Sequence, residues 1–257
     1  MKRIRFTLLT LMLGMVLAGC GEPGLLYQTS CIDALLAGDY DGQMTLGRLK
    51  THGNLGLGTF DALDGEMVLL DGVVYQVRAD GKAHTPPDSM TTPFAAVVAF
   101  APETTVPVQT TADLTMQEVR AVLDEGLGGL NVPYAMRMTG TFKFMKTRSV
   151  PRQTKPYRPL VEVVKNQPEF TFQNVTGTIV VIRCPSYVKG LNVPGWHMHF
   201  ITADRVAGGH VLDFRVGCAT TEIDRLDAIR ADLPTGRAFR ELDLTGDRRQ
   251  ELHKVER

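Results

Sequence analysis

The chain has 257 residues, of which 44% are apolar, and its 28 basic and 28 acidic side chains cancel to a formal net charge of zero. A chain of this size can bury one large hydrophobic core or two modest ones. Because it carries no basic stripe interleaved with aromatic side chains, we expect no nucleic-acid partner.

The first 19 residues are typical of a targeting segment. Three cations among the first five residues precede an apolar stretch, residues 6–17, which is too short to span a bilayer. Residues 17–20 resemble a bacterial lipobox, so we expect cleavage before Cys20 and lipidation of this cysteine. The alternative is a plain secretory signal in which Cys20 is accidental. Either signal predicts export, and a periplasmic or cell-surface lipoprotein would contact the membrane only through lipidated Cys20.

Residues 20–41 are interpreted as a linker and lead-in to an N-terminal α+β domain, which is expected to span residues 42–150. Early in this domain, Glu66 to Leu70 and Val73 to Val77 flank the dipeptide Asp71-Gly72. An Asp-Gly pair between two apolar runs is a strong signal for a hairpin with a two-residue turn. The pattern therefore predicts two antiparallel strands, with Glu66 opening the first.

A buried strand, a helix and a long strand are expected next. Residues 94–100 form a short apolar run between prolines, which suits a buried strand. Residues 115–118 have the form of a capping box and predict a helix that ends near Gly126. The alternation from Tyr134 to Arg148 predicts a long strand, in which Gly140 is interpreted as the site of a bulge.

A second α+β domain, which binds the metal and ends in a C-terminal tail, is expected over residues 151–257. The boundary is placed in the polar, proline-rich stretch 149–159. Beyond it, the sequence predicts a short helix at 160–165 and strands over 171–182 and 197–216. These elements together predict an α+β fold class, with two sheet-based domains that have mixed β-sheets and a few short helices.

Three of the six histidines fall in one segment of this second domain, G-W-H-M-H-F-I-T-A-D-R-V-A-G-G-H-V-L-D-F at 195–214. His197 and His199 alternate along a strand, so their side chains leave the same face, roughly 6.5–7 Å apart. A turn composition follows, and His210 opens a second apolar run, which predicts a hairpin. A register that pairs Ile201 with His210 would place all three imidazoles on one face, whereas a slip of one residue would not.

Three neutral imidazoles suit zinc and leave a coordination position for substrate or water, as in catalytic sites. Two alternatives stay open. Asp204 follows His199 by five residues, as in the metal strand of a cupin, which would indicate an iron or manganese oxygenase or isomerase. The other is a non-catalytic exported lipoprotein whose metal hairpin is structural, with a fourth protein ligand closing the site.

Three cysteines remain besides the lipidated Cys20: Cys31, Cys184 and Cys218. Cys184 and Cys218 could form a disulfide in an oxidising compartment, or both could be reduced core residues. The second interpretation is favoured, because a bridge requires Cα atoms roughly 4.4–6.8 Å apart and the sequence provides no geometry.

Four motifs carry a resemblance to a known family. They are G-T-F-D-A-L-D-G-E-M at 58–67, N-V-P-Y-A at 131–135, G-T-F-K-F-M-K-T-R-S-V-P-R-Q at 140–153 and the histidine segment at 195–214. In this order they resemble bacterial α-acetolactate decarboxylase, from about Gly42 to the C-terminus. Four separate motifs in one order are far more specific than any one of them.

The resemblance implies an enzyme that converts 2-acetolactate, a small 2-hydroxy-3-oxo acid, to acetoin and CO2 with bound zinc. It also implies a two-domain α+β fold and a homodimer. By this resemblance, the zinc ligands are His197, His199 and His210, and Glu66 and Arg148 are active-site residues. The resemblance also implies an active-site glutamate in the C-terminal tail, which Glu256 matches better than Glu251. Zinc would act as the electron sink for the enediolate, and a glutamate, Glu66 or Glu256, would donate the proton.

Overall fold

The computed structural model describes residues 21–256, and of residues 109–112 it describes the backbone alone. The targeting segment and Cys20 therefore lie outside the described residues. The strands are β1 (Leu25–Thr29), β2 (Met44–Thr45), β3 (Leu55–Thr59), β4 (Glu66–Leu70), β5 (Val73–Val77), β6 (Ala83–His84), β7 (Thr91–Thr92), β8 (Ala95–Val98), β9 (Thr104–Thr115), β10 (Tyr134–Arg148), β11 (Glu169–Cys184), β12 (Gly195–Thr202), β13 (Gly208–Arg225) and β14 (Ala228–Asp232). The helices are α1 (Ile32–Ala37), α2 (Leu46–Leu49), α3 (Met116–Gly126), α4 (Leu160–Val163), α5 (Arg237–Glu241) and α6 (Arg249–Val255).

The first sheet has seven strands in the order β14-β1-β8-β3-β4-β5-β6. It is mixed, because β1 and β14 are parallel while β3, β4 and β5 are antiparallel neighbours. The predicted hairpin is confirmed with Glu66 as the first residue of β4, and its turn residues Asp71 and Gly72 have positive φ angles of 52° and 78°. That backbone favours Asp-Gly at a two-residue turn, because glycine has no Cβ to clash.

The second sheet has five strands in the order β10-β11-β12-β13-β9, and β10 also pairs with β13, so the sheet closes on itself. Its long strand β10 has the predicted limits. The bulge predicted at Gly140 is wrong, since Gly140 pairs regularly with Gly177 and Ala219, and the register shifts against β13 begin at Thr141. Gly140 instead permits close strand approach, because a Cβ there would lie 2.2 Å from the Cys218 carbonyl oxygen.

Of the four apolar clusters among the described residues, two form layers against the second sheet. One fills the interior of the second sheet, with Phe142, Phe200 and Phe214 in edge-on contact at its centre. The other lies between the two sheets, where leucines of β3 and β4 meet residues of β11 such as Val180 and Ile182. This second layer fixes how the sheets face each other, and the α+β fold class with mixed sheets and a few short helices is confirmed.

The sheets divide the chain differently from the expected domain ranges. Strands β9 and β10 precede residue 150 but lie in the second sheet, and β14 follows it but joins the first. The segment interpreted as a lead-in also belongs to the fold, since β1 is an inner strand and α1 is buried on one face. Helix α1 ends at Gly38, which has a φ angle of 98°. A glycine after an apolar run is a helix stop signal that the sequence already contains.

Other predicted elements are confirmed with small changes in length. Residues 95–98 form a fully buried strand, and Thr115 caps α3 with Glu118 in a capping box. The helix at Leu160 continues as a 3-10 turn to Asn166. None of the helices among residues 21–256 has the length and apolar character needed to cross a membrane.

Cys31, Cys184 and Cys218 are free thiols, and the interpretation of Cys218 as a core residue is wrong because it is exposed. Cys218 pairs with Thr141, which pairs with Thr176 of β11, eight residues before Cys184. At about 3.3 Å per residue this separates the two cysteines by roughly 26 Å. A disulfide between them would require Cα atoms within about 7 Å.

Candidate metal centre and active site

The hairpin of β12 and β13 brings the three histidines together. His199 pairs with His210, and Ile201 pairs with Gly208, so the predicted pairing of Ile201 with His210 is wrong by two residues. A shift of two residues in the pairing register leaves each side chain on the same face of the sheet, so all three histidine side chains point to the same side. The turn is shorter than expected because the Thr202 amide donates to the Ala207 carbonyl oxygen at 2.9 Å and closes it early.

The three imidazoles form a compact, buried cluster. Their ring centroids lie 5.0 to 5.2 Å apart, and one nitrogen of each falls within 4.8 Å of the others. His199 Nδ1 donates to the Met67 carbonyl oxygen of β4 at 2.7 Å, so its Nε2 carries the free lone pair. His199 Nε2 and His197 Nδ1 are both buried without a hydrogen-bond partner among the described residues.

Burial keeps these imidazoles neutral. It lowers the pKa of His197 to about 3, with a further contribution from the Arg148 guanidinium. The pKa values of His199 and His210 are also held well below the ordinary range, first by burial. Neutral imidazoles with free ring nitrogens are suitable ligands for a divalent metal, so the three residues fit a bound metal ion.

Glu66 and Arg148 form a buried ion pair beside the cluster. Arg148 is the last residue of β10 and pairs with His210, while Glu66 reaches over from β4 of the first sheet. Arg148 Nη1 lies 3.1 Å from Glu66 Oε1, and Glu66 Oε2 lies 3.5 Å from His199 Nε2. Burial raises the pKa of Glu66 to about 7, although Arg148 opposes the shift.

The C-terminal helix α6 supplies the second carboxyl group. Leu252 and Val255 are buried, and the Val255 carbonyl oxygen accepts a 2.8 Å hydrogen bond from Arg148 Nη2. Glu256 Oε2 then lies 3.8 Å from His210 Nε2, and burial raises its pKa to about 7. Glu251 points elsewhere and pairs with Arg248 at 3.0 Å, so the structure brings Glu256, not Glu251, to the histidines.

These groups line one narrow cavity of about 40 Å³, called the inner cavity, which also has apolar walls from Ile32, Leu35, Leu63, Phe94, Val150 and Leu160. Ile32 and Leu35 belong to α1 and were missed when residues 20–41 were interpreted as a lead-in. The apolar spacing of Ile32, Leu35 and Leu36 before Gly38 was a helix signal that could have revealed this wall.

Asp204 is not a metal ligand in this structure. It is exposed in the turn between β12 and β13, where it accepts a 2.6 Å hydrogen bond from the Thr202 hydroxyl. The group of potential ligands found among residues 21–256 contains the three histidines and not Asp204. The cupin-like interpretation is therefore wrong, because the carboxylate it requires serves to close the turn.

Comparison with known proteins gives a consistent picture. Residues 26–246 match the family model described as alpha-acetolactate decarboxylase. The chain is 46% identical over 233 residues to the alpha-acetolactate decarboxylase of Methanosarcina mazei, covering 91% of this chain and 80% of that protein. It is 43% identical to the protein of that name from Methylococcus capsulatus, covering 90% and 88% of the two chains.

Solved structures agree with the sequence relatives. The crystal structure of alpha-acetolactate decarboxylase from Bacillus subtilis strain 168 superposes with a TM-score of 0.88 at 36% identity, covering 90% of this chain and 99% of that one. The comparisons support membership of the alpha-acetolactate decarboxylase family. They do not support the narrower expectation of a bacterial family, since one relative comes from Methanosarcina mazei.

The geometry predicts that the histidine cluster binds one metal ion per chain. Replacing His199 by alanine removes one of three ligands, so bound metal should fall by about tenfold or more after dialysis. Metal is measured by elemental analysis, with His84→Ala as the control because His84 is an exposed histidine outside the cluster. Equal metal content in His199→Ala and the wild type would contradict this site.

Proposed function

The chain belongs to the alpha-acetolactate decarboxylase family, and on that premise we propose that it releases CO2 from 2-acetolactate to form acetoin with a zinc ion held by His197, His199 and His210. As a member of this family it is a carboxy-lyase. The observation that carries the zinc proposal is the buried set of three neutral imidazoles, two of which, His197 and His199, have a ring nitrogen without a hydrogen-bond partner among the described residues. Three protein ligands leave a position for the substrate.

The reaction needs groups that stabilise negative charge next to the breaking bond. In 2-acetolactate the carboxylate is β to the ketone, so loss of CO2 leaves an electron pair at C2 that is conjugated with the C3 carbonyl. When bound, zinc supplies the Lewis acidity that stabilises this charge. Arg148 faces the same cavity, and its two terminal nitrogens are anchored by Glu66 and Val255. We propose that this guanidinium orients the departing carboxylate.

A proton must then reach C2, and the candidates are buried Glu66 and partly buried Glu256. Glu66 is already committed to Arg148, which favours its ionised form. Glu256 has no arginine within ion-pair distance among the described residues, and it borders the inner cavity next to His210. On this geometry we assign proton donation to Glu256, while Glu66 holds Arg148 and His199 in place.

The proposed function is tested with the chain expressed from residue 21 and supplied with racemic 2-acetolactate. We expect acetoin and CO2 in equal amounts, because one carboxylate is lost for each product molecule. A chelator should abolish the activity and added zinc should restore it, since zinc supplies the electron sink. Acetoin is measured colorimetrically and metal by elemental analysis. Full activity in metal-free protein would contradict the zinc proposal but not the family.

Removing the proton donor should slow turnover without loss of metal. We expect Glu256→Gln to lower kcat by roughly 10²–10⁴, the usual range for lost acid-base catalysis. Glu251→Gln is the matched control, because Glu251 lies on the same helix and pairs with Arg248 away from the histidines. Steady-state kinetics and zinc content decide the outcome. A Glu256→Gln enzyme with wild-type kcat would return the proton-donor role to Glu66.

We further propose that the protein is exported and anchored through a lipidated Cys20, and that it forms a homodimer as the family resemblance implies. The support for the anchor is the cationic start, the short apolar run and the lipobox-like residues 17–20. Cys20→Ala should move the protein from the membrane to the soluble fraction or block processing, because diacylation provides two-chain anchoring. Mass spectrometry of wild-type protein that shows an unlipidated Cys20 would indicate an ordinary secretory signal.

A further inference from the structure

A second and larger cavity lies on the other side of Glu256. This outer cavity has a volume of about 620 Å³ and is bordered by α3, α6 and the segment before β12. Glu256 lines both the inner and the outer cavity, and it follows directly on α6. The end of α6 therefore separates the buried histidine cluster from the outer cavity.

The wall of the outer cavity is rich in cations, but most of them already have acidic partners. Lys189 Nζ lies 3.0 Å from Asp247 Oδ1, and Arg249 Nη2 lies 2.7 Å from Asp247 Oδ2. Arg248 is paired with Glu251 at 3.0 Å. Asp33 lies in the same wall and interacts electrostatically with Arg248 and Lys189, so these three cations face three carboxylates and leave little net attraction for an incoming anion.

Arg120 differs from these cations. It projects from α3 into the outer cavity, and among the described residues no carboxylate lies within 4.0 Å of its guanidinium. Its Nε is buried without a hydrogen-bond partner in the same part of the chain. Asp124, one turn further along α3, is engaged instead by Arg183 at 3.3 Å and by the Trp196 indole nitrogen at 3.2 Å.

An arginine in this state is suited to bind an anion from outside the protein. Partial burial lowers the pKa of Arg120, and a carboxylate could accept two parallel hydrogen bonds from its guanidinium, including one from the unpartnered Nε. Glu256 lines the same outer cavity as Arg120 and also borders the inner cavity. An anion held by Arg120 would thus stand next to the proposed proton donor.

We propose that the outer cavity is the entrance for the substrate and that Arg120 is a specificity-determining residue that receives its carboxylate there. The ligand class is a small 2-hydroxy carboxylate anion, which then passes Glu256 to reach the inner cavity. The inference rests on the proposed function, because it assumes that the substrate is an anion that reacts at the histidine cluster.

The kinetic test compares Arg120→Gln with the wild type. We expect KM for 2-acetolactate to rise by about tenfold while kcat stays within about threefold, because the lost contact acts before the chemical step. Wild-type kcat/KM should fall as salt is raised, and Arg120→Gln should lose most of this dependence. Arg249→Gln is the matched control, since it removes one positive charge from the same wall where Asp247 already compensates it. Its KM should change by less than about twofold.

A binding test does not depend on turnover. Trp196 is the only tryptophan of the chain and lines the outer cavity, so its fluorescence reports on occupants there. The probe is 2-hydroxy-2-methylbutanoate, which has the carboxylate but no ketone and cannot lose CO2 by this route. Wild type should show saturable quenching, and Arg120→Gln should bind about tenfold more weakly. The corresponding amide, which is uncharged, should bind both proteins equally weakly.

The results separate this proposal from the proposed function. An unchanged KM and unchanged probe affinity in a folded, zinc-loaded Arg120→Gln protein would overturn the role of Arg120 and leave the decarboxylase proposal intact. If the wild type binds the probe but makes no acetoin, and Arg120→Gln no longer binds the probe, the anion site is supported and the proposed function is contradicted. If Arg120→Gln does not fold, Arg120→Lys takes its place, and it should raise KM through the lost bidentate geometry alone.

Discussion

The site depends on a single row of backbone pairing in the second sheet. His210, near the start of β13, pairs with His199 on one side and with Arg148 at the end of β10 on the other. This row fixes two of the three histidines and the arginine at neighbouring positions before any side-chain packing is considered. His197 follows on the same face of β12. Closure of the sheet by β10 and β13 is what makes the row possible, because an open sheet would leave Arg148 far from the hairpin.

The other groups of the site reach this row from elsewhere in the fold. Glu66 comes from the first sheet, whose β4 also contributes the Met67 carbonyl oxygen that orients His199. The apolar layer between the sheets holds both strands in position. Glu256 comes from the C-terminal end, where α6 is fixed by its buried leucine and valine and by the hydrogen bond from Arg148 to Val255. Arg148 thus connects both carboxyl-bearing elements to the histidine hairpin.

Burial determines the chemistry of this arrangement. Taking charged groups out of water costs several kcal/mol each, so buried imidazoles stay neutral and buried carboxyl groups hold their protons more tightly. The pKa values of Glu66 and Glu256, raised to about 7, and the lowered histidine pKa values share this cause. At the edge of the site, the Nε of Arg120 is also buried without a hydrogen-bond partner among the described residues. A metal ion and an anionic substrate would each relieve part of this cost.

Local sequence determined those features that depend on nearby residues. The Asp71-Gly72 turn, the capping box at Thr115 and the limits of β10 follow from backbone preference and side-chain periodicity, and the structure confirms them. The spacing of His197, His199 and His210 predicted a shared face, which survives even though the pairing differs by two residues, since side chains on a strand alternate with a period of two. The family resemblance selected Glu66, Arg148 and Glu256, and these are the residues that the structure brings to the histidines.

Only the tertiary structure decided the features that join distant segments. The parallel pairing of β1 with β14 and the closure of β10 onto β13 join segments whose local sequence is equally compatible with other partners. For this reason four features were not predicted: the wall formed by α1, the turn role of Asp204, the exposure of Cys218 and the unpartnered Nε of Arg120. Pairing partners, burial and solvent access are properties of the assembled core, because each depends on which distant residues exclude water from a given side chain.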